Sequence, residues 1–427
     1  MKNNSKTIYD QNTNYINLLS ILVSLLPLSM VIGAAIMEII ILCSCIVFFF
    51  LNFKKIGLEY YKNNFFILFL FFNFFLIISS ILSENILNSI RNTAFYFRFG
   101  ILVIIIWFLL DYYKKFKILF FYSILITLLL IILFTLIQLT FFPKTIIYSN
   151  RISGIFNAES VQGSFLLRIT PIFIVFYVYC KHQINKNLIF LYYFTLISVF
   201  VLVVLSGERA AIFLMFVGIG LLYLFFKINI KKLFFYSLSL LTFFFIILQL
   251  NPEIKERVIY RTFNDVFVKS QNTEFSNFKR INIFSEGHQD HIETGIMIFK
   301  RHYIKGVGVR NFRSECKKNI YKKNGKYYCT THPHNTYVQL LSETGLIGCF
   351  FFIIFLFFIY SKVYESLKQS YTKNIKIRPS YAFVLTIILV NFFPFVPTGS
   401  FFNNWLSTLY YLPLGLLFHE LNLKKIL

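Results

Sequence analysis

The sequence predicts an all-α, polytopic membrane protein with about twelve transmembrane helices and one large, mostly helical loop. Three observations predict it. Mean hydropathy is +0.67, with 57% apolar and 20% aromatic residues over 427 positions. Apolar runs recur that are long enough to cross a hydrocarbon core, which takes roughly 17 to 25 residues. Lysines and arginines gather behind alternate runs, as short cytoplasmic loops require. A soluble domain lacks runs of this length.

Taken in order, the runs lie near 16–32, 34–51, 64–82, 94–110, 117–141, 162–179, 188–205, 209–226 and 233–250, then near 346–361, 380–396 and 402–419. The chain thus divides into 1–250 with the first nine spans, a polar loop at 251–333, and 334–427 with a motif-bearing helix and the last three spans. The polar opening to Asn14 leads into an uncleaved first span, without the small-residue cleavage site of a signal peptide. No internal repeat stands out.

Lys54, Lys55 and Lys62 follow the second run; Lys114, Lys115 and Lys117 the fourth; Lys181 and Lys186 the sixth; Lys227, Lys231 and Lys232 the eighth. Lys362, Lys368, Lys373, Lys376 and Arg378 follow the tenth, and Lys424 and Lys425 the last. Both termini are therefore expected in the cytoplasm and the 251–333 loop outside, which in a Gram-negative cell is the periplasm. This placement accounts for the formal charge of +24. Nucleic acid is not an expected partner, because no compact basic domain with interleaved recognition residues is present.

The loop is longer than a connector needs to be, and such loops usually carry function. Asn251-Pro252 starts an amphipathic segment to Ser270, with Ile254, Val258 and Phe267 among Lys255, Arg257, Arg261 and Lys269. A second helix is expected from His288 to Tyr303, ended by Gly306-Val307-Gly308. Cys316 and Cys329 share the loop, and in an oxidising compartment they form a disulfide worth about 3 kcal/mol. Asp290, His291 and Glu293 suggest a metal, but with no second converging cluster in view they read as a solvated polar face.

The stretch Thr331–Gly348 organises the rest. It is polar, carries His332 and His334, and runs directly into an apolar segment, so an imidazole sits at the membrane edge. Pro333 suits a first helical position, His334–Thr344 has helical spacing, and Gly345 reads as a kink or a cap. From these residues alone, a capping role and a chemical role for the histidines stand about even. The spacing is His334-Asn335, nine residues, Gly345, two residues, Gly348. It resembles the signature of the O-antigen ligase and polymerase family of bacterial membrane glycosyltransferases. The stretch from Gly306-Val307-Gly308 is similar too, and the likeness extends more loosely back to Arg151.

Arginine near a bilayer centre costs about 2.5 to 3.5 kcal/mol on insertion scales. Arg98 and Arg168 lie inside the fourth and sixth runs, Arg209 follows the turn Ser206-Gly207-Glu208, and Arg91 and Arg151 lie in loops on the same side. Each either snorkels, pairs with a carboxylate such as Glu208 or Glu159, or serves a ligand; Glu38 stands as a buried partner for one of them. The resemblance implies that the Arg209 segment contacts a donor diphosphate, with Arg98 and Arg168 as further candidates. Relatives place an arginine at the start of the helix before the Gly-Val-Gly turn. Here that position holds His288, with Arg280 eight residues earlier, and either is a candidate for the second contact.

What the resemblance implies is transfer of a glycan, with inversion, from a polyprenyl-diphosphate carrier to an acceptor hydroxyl, without metal or cofactor, in the bacterial inner membrane with the site facing the periplasm. His334 is the expected base, having an ordinary pKa near the working pH; Asn335 either orients the acceptor or caps the helix. In the ligase reading the acceptor is lipid A-core. O-antigen polymerases and protein O-oligosaccharyltransferases share the signature. A flippase or transporter of lipid-linked sugar is the rival of another class, and would be expected to show internal repeats and midplane sites.

Overall fold

The computed structural model describes residues 12–141, 151–156, 161–265, 284–322 and 327–426. Among them the regular elements are all helical. The reason is general: in lipid each backbone polar group must be satisfied within its own segment. We number the longer helices α1 Thr13–Ser24, α2 Leu26–Ile32, α3 Ala34–Phe53, α4 Asn64–Ile81, α5 Ile86–Thr93, α6 Arg98–Tyr112, α7 Lys114–Phe141 and α8 Gln162–Cys180. They continue as α9 Lys186–Leu205, α10 Arg209–Phe226, α11 Ile230–Gln249, α12 Glu286–Arg301, α13 Thr336–Lys373, α14 Pro379–Asn391 and α15 Asn404–Ile426.

Among the described residues nine helical segments are long and apolar enough to cross a membrane, or ten if α1 and α2, bent by 41°, make one span. The expected run at 380–396 is shortened to the 13 residues of α14, since Pro394 and Pro397 follow and cannot continue a helix. The fourth run, expected from 94, becomes helical only at Arg98: residues 94–97 form a turn after α5, so Arg98 opens α6 instead of lying inside a helix.

The centre of the bundle is α6, buried almost throughout from Arg98 to Leu110. It packs against α15, where Gly415 lies on Ile106 and the carbonyl of Val103; a Cβ at that glycine would stand 2.7 Å from the Ile106 side chain. Small residues at such crossings let backbones approach closely. At one end of this core, Tyr179 donates to Glu420 (2.6 Å) and Arg378 pairs with the same carboxylate (2.8 Å). His419 contacts Asp111, which also accepts from Tyr60 (3.0 Å). These ties join α6, α8 and α15.

The long helix α13 is broken at Gly345, whose φ of 64° and ψ of −164° are not helical. The break frees backbone groups, and the Gly-Val-Gly turn satisfies them. Val307 and Gly308 donate to the carbonyls of Ser342 (3.0 Å) and Glu343 (2.9 Å), while Leu346 donates to Tyr303 (2.8 Å). A Cβ at Gly306 would run into the backbone of Glu343 and Thr344, and one at Gly345 into that of Ile304 and Gly306, so neither has room for a side chain. The two glycine motifs are thus halves of one junction.

Helix α12 begins two residues before the expected His288. The segment after Asn251 forms a short helix Pro252–Lys255, a π-helical turn Glu256–Tyr260 and Arg261–Phe263; Phe267 and Lys269 lie outside the described residues. Cys316 and Cys329 are joined in a disulfide, Cα atoms 5.5 Å apart. Cys316 packs with Ile298, Val307, Phe312 and Tyr321 in a small second core that fastens the loop to α12.

Candidate active site

The site is built on the start of α13. The sequence places Pro333 at the first helical position, but the helix starts at Thr336. Asn335 is its N-cap: Oδ1 accepts from the backbone of Tyr337 (3.0 Å) and Val338 (3.1 Å), and Nδ2 donates to the Pro394 carbonyl (2.8 Å). Of the two roles open to Asn335, the geometry displays the cap. Both ends of its amide are engaged within the protein.

His334 cannot be helical, since its φ is 55°. A left-handed conformation at a residue with a bulky side chain is unusual, and the surroundings must hold it. They do so through Thr398, whose backbone N–H donates to the His334 carbonyl (2.8 Å). Thr336 and Thr398 also share a hydroxyl hydrogen bond of 3.0 Å. The 394–398 loop therefore clamps the helix start from both sides and fixes the direction of the ring.

Four imidazoles meet there. The His334 ring centroid lies 4.2 Å from that of His332, 5.0 Å from His288 and 5.6 Å from His291. The last two sit three residues apart on α12, hence on one face. This corrects the reading of His291 as part of a solvated face with no second cluster: the partner group arrives from 332–334, brought by the glycine junction. Asp290 and Glu293 do not complete a metal centre, for no group of three or more His, Cys, Asp or Glu among the described residues is arranged to hold an ion.

Hydrogen bonding separates the four. His332 is tied at both nitrogens, Nδ1 to Thr331 Oγ1 (2.8 Å) and Nε2 to the Thr398 carbonyl (3.2 Å). His288 Nδ1 is bonded to Ser285 Oγ (2.6 Å), and His291 Nδ1 to the Tyr328 carbonyl (3.2 Å). Among the described residues, no hydrogen bond reaches either ring nitrogen of His334. Burial, then the neighbouring imidazoles, lowers the pKa of His334 to about 3. Burial lowers His288 and His332 to about 4. All three are neutral at pH 7.

Two cationic centres flank the rings. In the first, Arg209 pairs with Asp265 (2.9 Å) and Arg257 Nε donates to the Gly207 carbonyl (3.0 Å). Burial lowers the pKa of Arg151, with repulsion from Arg209 adding to it, and burial with repulsion from Arg151 and Arg209 brings Arg257 down to about 10. The carboxylate of Glu208 accepts from the backbone of Gly163 (2.6 Å) and from Ser164 Oγ (2.7 Å), and burial raises its pKa. The charges of Arg209 and Arg151 act on His288.

The second centre surrounds a cavity of about 600 Å³ whose wall includes Arg168, Arg310, Arg313, His332 and Trp405. Arg168 is 4% exposed; its Nη1 donates to the Ser164 carbonyl (2.9 Å). The Nε atoms of Arg168 and Arg313 are buried and have no hydrogen-bond partner among the described residues. Arg310 has φ 60° and donates to the Phe402 carbonyl (3.1 Å). Beneath it the fully buried Glu343 accepts from the backbone N–H groups of Arg310 and Phe312 and from Gln339 Nε2 (2.9 Å). Arg313 acts electrostatically on His332.

The sequence-predicted residues therefore separate. His334, His288 and Arg209 lie in one neighbourhood; Arg168 faces the cavity, whose wall includes neither His334 nor Arg209. Arg98 is not part of the cavity wall, and its guanidinium is held by Glu38 (2.9 Å) and the Phe95 carbonyl (2.5 Å). Arg280 lies outside the described residues. Sequence reasoning missed Arg310 and Arg313, although Arg310 directly follows the Gly-Val-Gly-Val run that carries the resemblance.

Residues 194–353, from α9 through the glycine junction, match the O-antigen ligase family model. Over this stretch the chain is similar to the O-antigen ligase family, and the match supports an O-antigen ligase or polymerase kinship. The matched segment contains Arg209, His288, Arg310, Arg313 and the whole His334–Gly348 motif. No curated protein matches the chain. The family and the many apolar helices describe an O-antigen ligase or polymerase-type membrane enzyme, glycosyltransferase-like, using lipid-linked glycan donors and glycan acceptors. They fit a multi-pass bacterial membrane protein.

Proposed function

We propose that the protein transfers a glycan from a polyprenyl-diphosphate carrier to a sugar hydroxyl of lipid A-core, with His334 as the general base. The observation that carries this reading is the state of its ring: half-buried, neutral at pH 7, aimed by the left-handed backbone, and free at both nitrogens among the described residues where each neighbouring histidine is tethered.

In the step, the acceptor hydroxyl oxygen bonds to the anomeric carbon and its proton passes to His334. The bond from that carbon to the diphosphate oxygen breaks, its electron pair leaving with the diphosphate. Attack opposite the leaving group inverts the carbon. Negative charge grows on the diphosphate, and preorganised guanidinium groups stabilise that growth more than they stabilise the bound donor. Arg209, with Arg151 and Arg257, is assigned this role, with His288 beside them; their planar forks suit phosphate oxygens.

A ring with a pKa of about 3 is a weak base in the empty protein. A donor bringing anionic charge beside the cluster opposes the cationic surroundings and raises the ring's proton affinity as the acceptor arrives. The lysine pattern orients this site toward the periplasm. The test is transfer by purified protein from a synthetic polyprenyl-diphosphate oligosaccharide to lipid A-core, with His334→Ala beside it. Unimpaired transfer by the variant rejects the base. Polymerase is the alternative within the family; a deletion strain that keeps a single-repeat band on core favours it, whereas loss of all O-antigen favours ligase.

A further inference from the structure

We infer that the cavity walled by Arg168, Arg310 and Arg313 is a second oxyanion site, separate from the Arg209 centre, that receives a phosphate- or carboxylate-bearing sugar of the acceptor. The inference rests on the reading of His334 as base, and it adds the chemical class of the acceptor.

Three observations carry it. The first is an unmet demand: Arg168 is 4% exposed, and its Nε and that of Arg313 lack partners among the described residues. Buried polar groups are normally hydrogen-bonded, and a buried charge left unpaired is costlier still. A void of about 600 Å³ borders these arginines, large enough for a sugar and its charged substituent. Among the described residues, no aspartate or glutamate is part of the cavity wall.

The second is the framework that presents Arg310. Its left-handed backbone, the Glu343 carboxylate gripping its N–H, and Gln339 bridging Glu343 to Ser400 (2.9 Å) and the backbone of Phe401 (2.8 Å) fix a strained turn on the cavity rim. A loop arginine with only a solvating role would not require this support.

The third is position. Arg209 and Arg151 act on His288, whereas His332 shares the cavity wall with the second set of arginines and is acted on by Arg313, so the two centres lie toward different members of the histidine cluster. Inversion requires the incoming hydroxyl and the departing diphosphate on opposite faces of the anomeric carbon. A single diphosphate cannot serve both centres, and the base must touch the acceptor. The cavity reached through His332 therefore matches the acceptor's own charge.

Trp405 lies in the cavity wall and donates to the Met30 carbonyl (3.0 Å), so it reports occupancy directly. The chain has two tryptophans, and Trp107→Phe leaves this one. With the full-length Trp107→Phe protein in lipid nanodiscs, Trp405 emission is titrated with glucose 6-phosphate, glucuronate and glucose. The two anions are expected to give a saturable change and glucose none at tenfold higher concentration; which anion binds tighter separates phosphate from carboxylate as the recognised group. Arg168→Gln and Arg313→Gln should each raise the half-saturation point at least tenfold, and Arg209→Gln less than twofold. An equal response to glucose overturns the inference, and that comparison needs no arginine variant. So does a response lost in Arg209→Gln but kept in Arg313→Gln, which would assign the cavity to the donor diphosphate. Full transfer activity in His334→Ala would instead remove the base while leaving this titration intact.

Discussion

The rings of His332 and His334 lie 4.2 Å apart, centroid to centroid, yet of the two only His332 has its nitrogens bound among the described residues. Adjacent in space and alternate in sequence, they have different work: one braces the 394–398 loop, the other is left able to take a proton.

His334→Ala should therefore lower kcat by about 10²- to 10⁴-fold, the range for a positioned base. His332→Ala should act mainly on thermal stability, because it removes two internal hydrogen bonds worth about 1 kcal/mol each. Steady-state transfer assays alongside melting curves separate the two. Equal loss of kcat in both, with equal melting temperatures, would contradict this division.

Gly345→Ala should disrupt the junction. The new Cβ meets the backbone of Ile304 and Gly306 at a positive φ, so the cost exceeds the roughly 1 kcal/mol typical of a compatible glycine replacement. Gly306→Ala, on the facing strand of the same contact, should give a similar fall in melting temperature. Because each variant damages one contact, the double variant should lose clearly less than the sum.

Arg98 and Glu38 form a pair 2.9 Å apart, with side chains 8% and 21% exposed. Removing one partner strands a charge and should cost about 3 to 5 kcal/mol, whereas replacing both by methionine should restore most of it. Transfer activity in the double variant should follow its folded fraction. A double variant that folds fully but does not bind donor would return Arg98 to the diphosphate.

The histidines give the protein an acid limit. His288, His332 and His334 have folded pKa values of about 4, 4 and 3, all lowered from 6.5, chiefly by burial. Above 6.5 folded and unfolded states are alike neutral and the stability is fully present. As pH falls from 6.5 toward 4 the unfolded chain binds protons that the folded one does not, so stability declines. Melting temperatures between pH 7.5 and 4.5 should fall on the acid side, and the fall should lessen in His332→Asn.

Much of the architecture was legible because span length and helical self-satisfaction act locally: the runs at 188–205 and 209–226 reappear as α9 and α10 within a few residues. The late start of α6 was not, since residues 94–97 are as apolar as the helix they precede. Near the site, Gly345 announced a break, but its partner at Gly306 lies 39 positions earlier and only folding joins them. His291 looked solvated for the same reason. Arg310 and Arg313 were missed because Glu343, the buried carboxylate that holds their turn, comes from a different helix.

The backbone bridge from Tyr303–Gly308 to Ser342–Ile347 makes one mechanical body of a lipid-facing rod and the surface turn above it. The turn that carries Arg310 is therefore anchored to α13 by main-chain hydrogen bonds, which no side-chain substitution at the junction removes directly.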